Sequence, residues 1–191
     1  MKKRVIIVHG WEGYPEDCWF PWLKRELELH GFEVIIPKLP HPEVPEIKSW
    51  VMALGHSVGV IDGSTYFVGH SIGCQTILRY LAILPEGQKV GGAVFVAGFF
   101  NLMGLETDEE KAVAGPWLNT AIDFEKVRSV VSKSIAIFSD NDEWVSLDNQ
   151  NVFRDKLGSE IIIEHNMGHF DRANKIFEIS SVLNAILEIS L

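Results

Sequence analysis

The chain contains little cysteine and few basic residues. Only two of its 191 residues are cysteines, Cys18 and Cys74, and they lie far apart and form no C-x-x-C pair. Such sparse cysteine argues against a disulfide scaffold and a zinc site and favours a reducing compartment. Lys and Arg number 17 against 26 Asp and Glu, which gives a formal net charge of −9. Because nucleic acids and anionic membranes recruit basic surfaces, we expect the protein to bind neither.

Long hydrophobic runs are absent as well. The apolar stretch behind the basic start, residues 5–8, is too short for the core of a signal peptide. The longest uncharged stretch, residues 90–105, contains four glycines and is too short for a membrane span. We therefore expect a cytoplasmic protein, and nothing in the sequence indicates a protein partner. A length of 191 residues is typical of one domain, which would span residues 1–191.

Short β-rich runs alternate with longer helical patterns along the chain. Strands are predicted at residues 4–8, 32–36, 65–68, 93–97, 135–138 and 160–164. Helices are predicted at residues 17–30, 46–54, 72–84, 147–157 and 174–189, with an irregular, partly helical region at 99–131. Such βαβ alternation predicts an α/β fold, a three-layer α/β/α sandwich with a mostly parallel six-stranded sheet. Ligands of such sheets bind at the carboxyl ends of the strands.

The pentapeptide G-x-S-x-G occurs twice, as G-H-S-V-G at 55–59 and G-H-S-I-G at 69–73. This motif indicates a nucleophilic serine only where the serine lies on a tight turn between a strand and a helix. Ser71 meets that condition, since a predicted strand precedes it and an amphipathic helix follows. Ser57 follows a helical segment and precedes a stretch with no helical pattern, so we expect it at a helix end that leads into a connecting loop. Ser71 is therefore the candidate nucleophile.

A nucleophilic serine needs a base and a carboxylate that orients the base, in the chain order Ser, Asp or Glu, His for this kind of fold. Asp142 lies four residues beyond the fifth strand and has the reach for the carboxylate role, with Asp140 as the alternative. His169 lies in the loop after the sixth strand and is the candidate base. His165 lies at the end of that strand and is expected to make packing or hydrogen-bonding contacts instead.

The remaining part of such a site is a pair of backbone N–H groups that bind the oxyanion. One is expected from Ile72, directly after the nucleophile, and the other from Trp11 in the loop after the first strand. Apolar residues on the same loops could line a pocket for an acyl or aryl group. The candidates are Phe99, Phe100, Leu102, Met103, Trp117 and Trp144.

Taken together, these motifs resemble the α/β-hydrolase superfamily, and within it the small lidless serine hydrolases of the retinoblastoma-binding protein 9 and YdeN-like type. The resemblance covers nearly the whole chain. It implies a triad of Ser71, Asp142 and His169. Many relatives have a proline where this chain has Ser146, which leaves the choice between Asp140 and Asp142 open. The segments that carry the resemblance are V-H-G-W at 8–11, a helix with Trp19 and Trp22, L-P-x-P at 39–42, T-Y-F-V-G-H-S-I-G-C at 65–74, F-S-D-N-D at 138–142 and M-G-H-F at 167–170.

The sequence thus predicts an esterase-like serine hydrolase that cleaves a small-molecule carboxylic ester or thioester through an acyl-enzyme. No metal ion and no organic cofactor is expected. Since a fold does not establish a function, a second hypothesis is a non-catalytic protein-binding module with a vestigial site on the same fold. The complete set of predicted catalytic residues favours the enzyme. The residues do not indicate which acyl compound is cleaved.

Overall fold

The computed structural model describes residues 2–191, in which six strands form one sheet. The strands are β1 (Arg4–Val8), β2 (Glu33–Ile35), β3 (Thr65–His70), β4 (Gly92–Val96), β5 (Ser134–Ser139) and β6 (Glu160–Glu164). Their order across the sheet is β2-β1-β3-β4-β5-β6, and every neighbouring pair runs parallel. The prediction of a mostly parallel six-stranded sheet is confirmed. The chain order reverses between β1 and β3, and a crevice at the carboxyl ends of the strands is expected there.

Helices cover both faces of the sheet, so the predicted three layers are confirmed. Buried residues of α1 and α7 pack on one face, whereas those of α2, α3 and α5 pack on the other. The helices are α1 (Phe20–Leu29), α2 (Ile47–Val58), α3 (Ile72–Ala82), α4 (Asp108–Asn119), α5 (Phe124–Val130), α6 (Asn149–Val152) and α7 (Ser180–Ile189), and α6 continues into a π-helical turn at Phe153–Leu157.

Side chains alternate between the two cores along each central strand. In β1, Val5 and Ile7 belong to the core beneath α1 and α7, while Ile6 and Val8 belong to the core beneath α2 and α3. All four are fully buried. A strand that is buried on both faces has apolar residues at consecutive positions of the sequence. Such strands can therefore be predicted from the sequence.

The last helix is shorter than predicted. It begins at Ser180, so its expected start at Asn174 is wrong. The side chain of Asn174 accepts a hydrogen bond from the backbone N–H of His169 at 2.7 Å, and its own N–H donates to Asp171 Oδ1 at 2.9 Å. These contacts hold a turn in place of a helix, since Asn and Asp side chains compete locally for backbone partners.

The region between β4 and β5, expected to be irregular and partly helical, contains the helices α4 and α5. Thr107 and Glu110 form a reciprocal capping box at the start of α4. The buried guanidinium of Arg79 in α3 donates to the carbonyls of Trp117 and Thr120, both at 2.9 Å. A cation at the carboxyl end of a helix satisfies orphan carbonyls and complements the helix dipole. Arg79 thereby holds α4 over the carboxyl ends of the strands.

Candidate active site

Ser71 lies on a tight turn between β3 and α3. Its backbone has φ +53° and ψ −122°, a strained conformation for a residue with a side chain. The Ser71 N–H donates to the Val96 carbonyl at 2.9 Å, which ties the turn to β4. A Cβ on Gly73 would lie 2.3 Å from the Val8 carbonyl oxygen, so the turn packs directly against the β1 backbone. The second glycine of the motif is therefore a packing requirement.

Ser71, His169 and Asp142 form one hydrogen-bonded line. The His169 imidazole contacts Ser71 Oγ through Nε2 at 2.9 Å and Asp142 Oδ2 through Nδ1 at 2.8 Å. The other carboxylate oxygen of Asp142 accepts from the N–H groups of Trp144 at 2.8 Å and Val145 at 3.0 Å. The Asp142 side chain is 1% exposed and that of His169 12%. Three hydrogen bonds and burial thus fix the carboxylate, which in turn fixes the imidazole ring.

Asp140 makes a separate pair with His165. Asp140 Oδ2 lies 2.5 Å from His165 Nδ1, and its Oδ1 accepts from the Asn166 N–H at 2.9 Å. These hydrogen bonds lower the pKa of Asp140, and the carboxylate in turn raises the pKa of His165. The structure therefore brings Asp142 to His169 and Asp140 to His165.

The loops after β5 and β6 are joined by side chains that bind successive backbone groups. Besides the Asp140 contact, Ser139 Oγ accepts from the Met167 N–H at 3.0 Å, and Asn141 Oδ1 accepts from the Gly168 N–H at 2.8 Å. Gly168 has φ +53°, which favours glycine at this turn. The segment S-D-N-D therefore acts as a unit that sets the position of His169.

The loop after β1 presents the N–H of Trp11 beside the turn. The Gly10 carbonyl accepts from His9 Nδ1 at 2.9 Å and from the Gly13 N–H at 3.1 Å. Because a trans peptide directs its N–H opposite its C=O, this orientation turns the Trp11 N–H away from the loop interior. Neither this group nor the Ile72 N–H donates to another atom of residues 2–191, and both residues line the cavity at Ser71.

His9 and His70 flank this loop as neutral rings. Burial lowers the pKa of His9, whose Nε2 accepts from the Leu39 N–H at 3.3 Å. Burial, with the neighbouring His169 as a further cause, lowers the pKa of His70 to about 3. His70 Nε2 lies 2.7 Å from the carbonyl oxygen of His169 and must donate to it. Sequence reasoning missed both roles, because a single histidine gives no local signal of its partner.

A cavity of about 310 Å³ opens at Ser71. Three of the six predicted lining residues border it, namely Phe99, Leu102 and Trp144. The other three do not. Trp117 is buried and donates to the Pro45 carbonyl, Phe100 packs on Phe124 and Phe153, and Met103 is 41% exposed. The lining residues that sequence reasoning missed are Glu12, His70, Leu105, Glu110, Ala114 and Asp171.

Ser57 is the penultimate residue of α2, which extends beyond its predicted end to Val58, so its expected place at a helix end before a connecting loop is confirmed. Its hydroxyl donates to the Ala53 carbonyl at 2.9 Å, one turn back along the helix. Ser57 therefore serves local helix hydrogen bonding.

Across residues 2–191, no group of three or more His, Cys, Asp or Glu side chains is arranged to hold a metal ion. Nor is any helix of this part of the chain long and apolar enough to cross a membrane.

Comparisons with known proteins agree with this architecture. A family described as serine hydrolase matches residues 5–184. The protein YdeN of Bacillus subtilis (strain 168) is 29% identical over 171 residues, which cover 89% of this chain and 87% of YdeN. The crystal structure of the B. subtilis ydeN gene product matches with a TM-score of 0.90 at 24% identity over 98% of both chains. A carboxylesterase structure from the thaumarchaeon Nitrososphaera gargenis matches with a TM-score of 0.71 at 15% identity, over 99% of this chain and 91% of that one. At these identities the two structures establish a shared fold.

Proposed function

The chain belongs to the serine hydrolase family, and from that premise we propose that it hydrolyses carboxylic esters or thioesters through an acyl-enzyme on Ser71. The observation that carries the proposal is the hydrogen-bonded line from Ser71 Oγ through His169 to Asp142. A serine hydroxyl is a weak nucleophile until a base within hydrogen-bond reach takes its proton. A carboxylesterase has the same fold, and this likeness supports esters as the proposed substrates of this chain.

In the proposed reaction, His169 Nε2 removes the proton of Ser71 Oγ as the oxygen attacks the substrate carbonyl. Asp142 holds the imidazole in the tautomer that presents a basic Nε2 and stabilises the cation that forms. His169 then protonates the leaving group, and the same ring activates the water that releases the acid from Ser71.

The N–H groups of Trp11 and Ile72 are the proposed oxyanion donors. Two features support this role: both residues line the cavity at Ser71, and neither N–H has another partner in residues 2–191. Preorganised donors stabilise the charge that develops in the transition state, and the loss of one typically costs about 2.7–4 kcal/mol. His9 positions the Trp11 donor through the Gly10 carbonyl.

Labelling with a fluorophosphonate tests the proposal directly. We expect the wild-type protein to gain one phosphonyl group on Ser71, located by peptide mass spectrometry, and Ser71→Ala to gain none. Hydrolysis of p-nitrophenyl butyrate should show the same dependence. Folded wild-type protein that is neither labelled nor active would contradict the enzyme and favour the binding-module hypothesis.

A second test separates the two Asp–His pairs. Asp142→Asn should lower kcat by about 10⁴-fold, because the amide favours the wrong imidazole tautomer. Asp140→Asn is the matched control and should change kcat less than about tenfold, since Asp140 contacts His165 and the loop backbone. Steady-state kinetics with p-nitrophenyl butyrate measure both. Equal losses in the two variants would refute the assignment of Asp142.

A further inference from the structure

The cleft at Ser71 has two chemically different halves. One half is apolar and is formed largely by Phe99, Leu102, Leu105, Ala114 and Trp144. The other half continues into an adjoining cavity of about 320 Å³ that shares Glu12, His70 and Asp171 with the first. The apolar half suits an acyl group, whereas the polar half offers hydrogen-bond acceptors.

The polar half lies beside the imidazole that would protonate a leaving group. The rings of His70 and His169 are 5.0 Å apart between centroids. Asp171 follows His169 by two residues along the same loop. Because a general acid must reach the leaving oxygen, the leaving group of a bound ester would occupy this half.

His70 directs an unused acceptor at this half. His70 is 6% exposed, and its Nε2 carries the proton that it donates to the His169 carbonyl. In a neutral imidazole the other nitrogen is then an acceptor. Nδ1 has no hydrogen-bond partner within residues 2–191. It lies next to Gly10, where a Cβ would come within 3.1 Å of it. The His70 side chain is largely buried but borders the cleft, so its unpartnered Nδ1 can accept a hydrogen bond from a ligand there.

The unpaired charges around this acceptor are negative. The Glu12 carboxylate makes no ion pair with any residue from 2 to 191, and the Asp171 carboxylate accepts one hydrogen bond there, from the N–H of Asn174. Among the described residues that line either cavity, the one Lys or Arg side chain is Arg172 in the adjoining cavity, and its guanidinium is paired with Asp17. The Glu110 carboxylate at the apolar half is engaged in the α4 capping box. The net field at the polar half therefore attracts cations.

We propose that this site cleaves esters whose leaving group is a cationic amino alcohol, bound by His70 Nδ1, Glu12 and Asp171. The inference rests on the proposed esterase function and names its substrate class. In the acylation step the Ser71 Oγ–carbonyl bond forms and the ester C–O bond breaks. The proton taken from Ser71 passes through His169 to the alcohol oxygen, and the ammonium group of the alcohol keeps its own protons.

A matched pair of substrates tests the proposal. 2-(Dimethylamino)ethyl butyrate and 3-methylbutyl butyrate share one acyl group, and their leaving groups differ by a protonated nitrogen in place of a carbon. The readout is the ratio of their kcat/KM values at pH 7, divided by the ratio of their hydroxide-catalysed rates. We expect a corrected ratio above about 10 for the wild-type protein, which should decrease as ionic strength rises.

Charge-removing variants then locate the preference. Glu12→Gln and Asp171→Asn should each lower the ratio about threefold, and the double variant about tenfold, as expected for unit charges about 6 Å apart in a wet cleft. Glu86→Gln removes the same charge from the exposed loop after α3 and should leave the ratio unchanged. His70→Phe should lower the ratio about threefold. Should that variant fail to fold in a thermal melt, the double variant remains decisive.

Three results would overturn the proposal, and they differ from one another. An unchanged ratio in the double variant, with both esters hydrolysed, refutes the amino-alcohol site but keeps the esterase. A preference of the wild-type protein for methyl 4-(dimethylamino)butyrate over the uncharged methyl 5-methylhexanoate, without a preference for the amino-alcohol ester, would place the cation in the acyl half instead. No hydrolysis of any ester, including p-nitrophenyl butyrate, would remove the proposed function itself.

Discussion

Two nearly identical pentapeptides, G-H-S-V-G at 55–59 and G-H-S-I-G at 69–73, have different structures and surroundings in this protein. The first continues α2, where the Ser57 hydroxyl bonds to its own helix. The second ends β3 and begins α3, and its Ser71 takes a left-handed backbone conformation. The pentapeptide can therefore form a site only where a strand places it at the sheet edge at which the partner loops converge.

The largest expected difference between the two segments is in catalysis. Ser71→Ala should lower kcat by about 10⁶-fold, the scale seen when a serine nucleophile is removed. Ser57→Ala should leave kcat within about twofold, because Ala is a good helix former and the Ser57 hydroxyl donates only to the Ala53 carbonyl of its own helix. Hydrolysis of p-nitrophenyl butyrate by equal concentrations of the folded variants measures both. An inactive Ser57→Ala variant beside an active Ser71→Ala variant would refute the assignment of the nucleophile.

The glycines of the two segments should differ in stability. A Cβ on Gly73 would lie 2.3 Å from the Val8 carbonyl oxygen and 2.6 Å from that of His9, so Gly73→Ala must move backbone and should cost about 3 kcal/mol. A Cβ on Gly55 would meet the Tyr80 ring at 3.3 Å. That contact is offset by the helix propensity of Ala, so Gly55→Ala should stay within about 1 kcal/mol.

Urea unfolding monitored by circular dichroism gives the free energies of unfolding of both variants. Similar values for Gly73→Ala and Gly55→Ala would show that the turn against β1 can relax, and the packing explanation of the motif would then fail.

The histidines of the two segments should differ in their effect on acid stability. The pKa of His70 is lowered to about 3 by burial, whereas an unfolded histidine titrates near 6.5. Between these values the unfolded chain binds a proton that the folded state refuses, so stability falls as the pH decreases through this window. The His70 contribution between pH 7 and pH 4.5 should be about 2–3 kcal/mol.

Urea unfolding at the two pH values measures this linkage. His70→Gln should flatten the acid loss, and exposed His56→Gln should leave it unchanged. A wild-type slope that persists in His70→Gln would mean that other groups control acid unfolding.

Much of the fold followed from local pattern. The strands β1, β3, β4 and β5 are buried on both faces, and such strands can be recognised in a sequence as apolar runs. The start of α7 was predicted too early because Asn174 has a helical neighbourhood in sequence but bonds to His169, five residues back. The end of α2 was predicted too early because the glycines at 55 and 59 weaken the helical pattern, although Leu54 and Val58 continue its buried stripe.

The sequence alone determined the order of the candidate catalytic residues along the chain. A serine lies between a strand and a helix, and loops that contain Asp and His follow later strands. That order depends on neighbours in the chain, which the pattern records. Tertiary structure decided which carboxylate meets which histidine, with Asp142 on His169 and Asp140 on His165. It also placed α4 beside Ser71 through Arg79. These are contacts between segments far apart in sequence, and their geometry exists only once the strands are aligned side by side in the sheet.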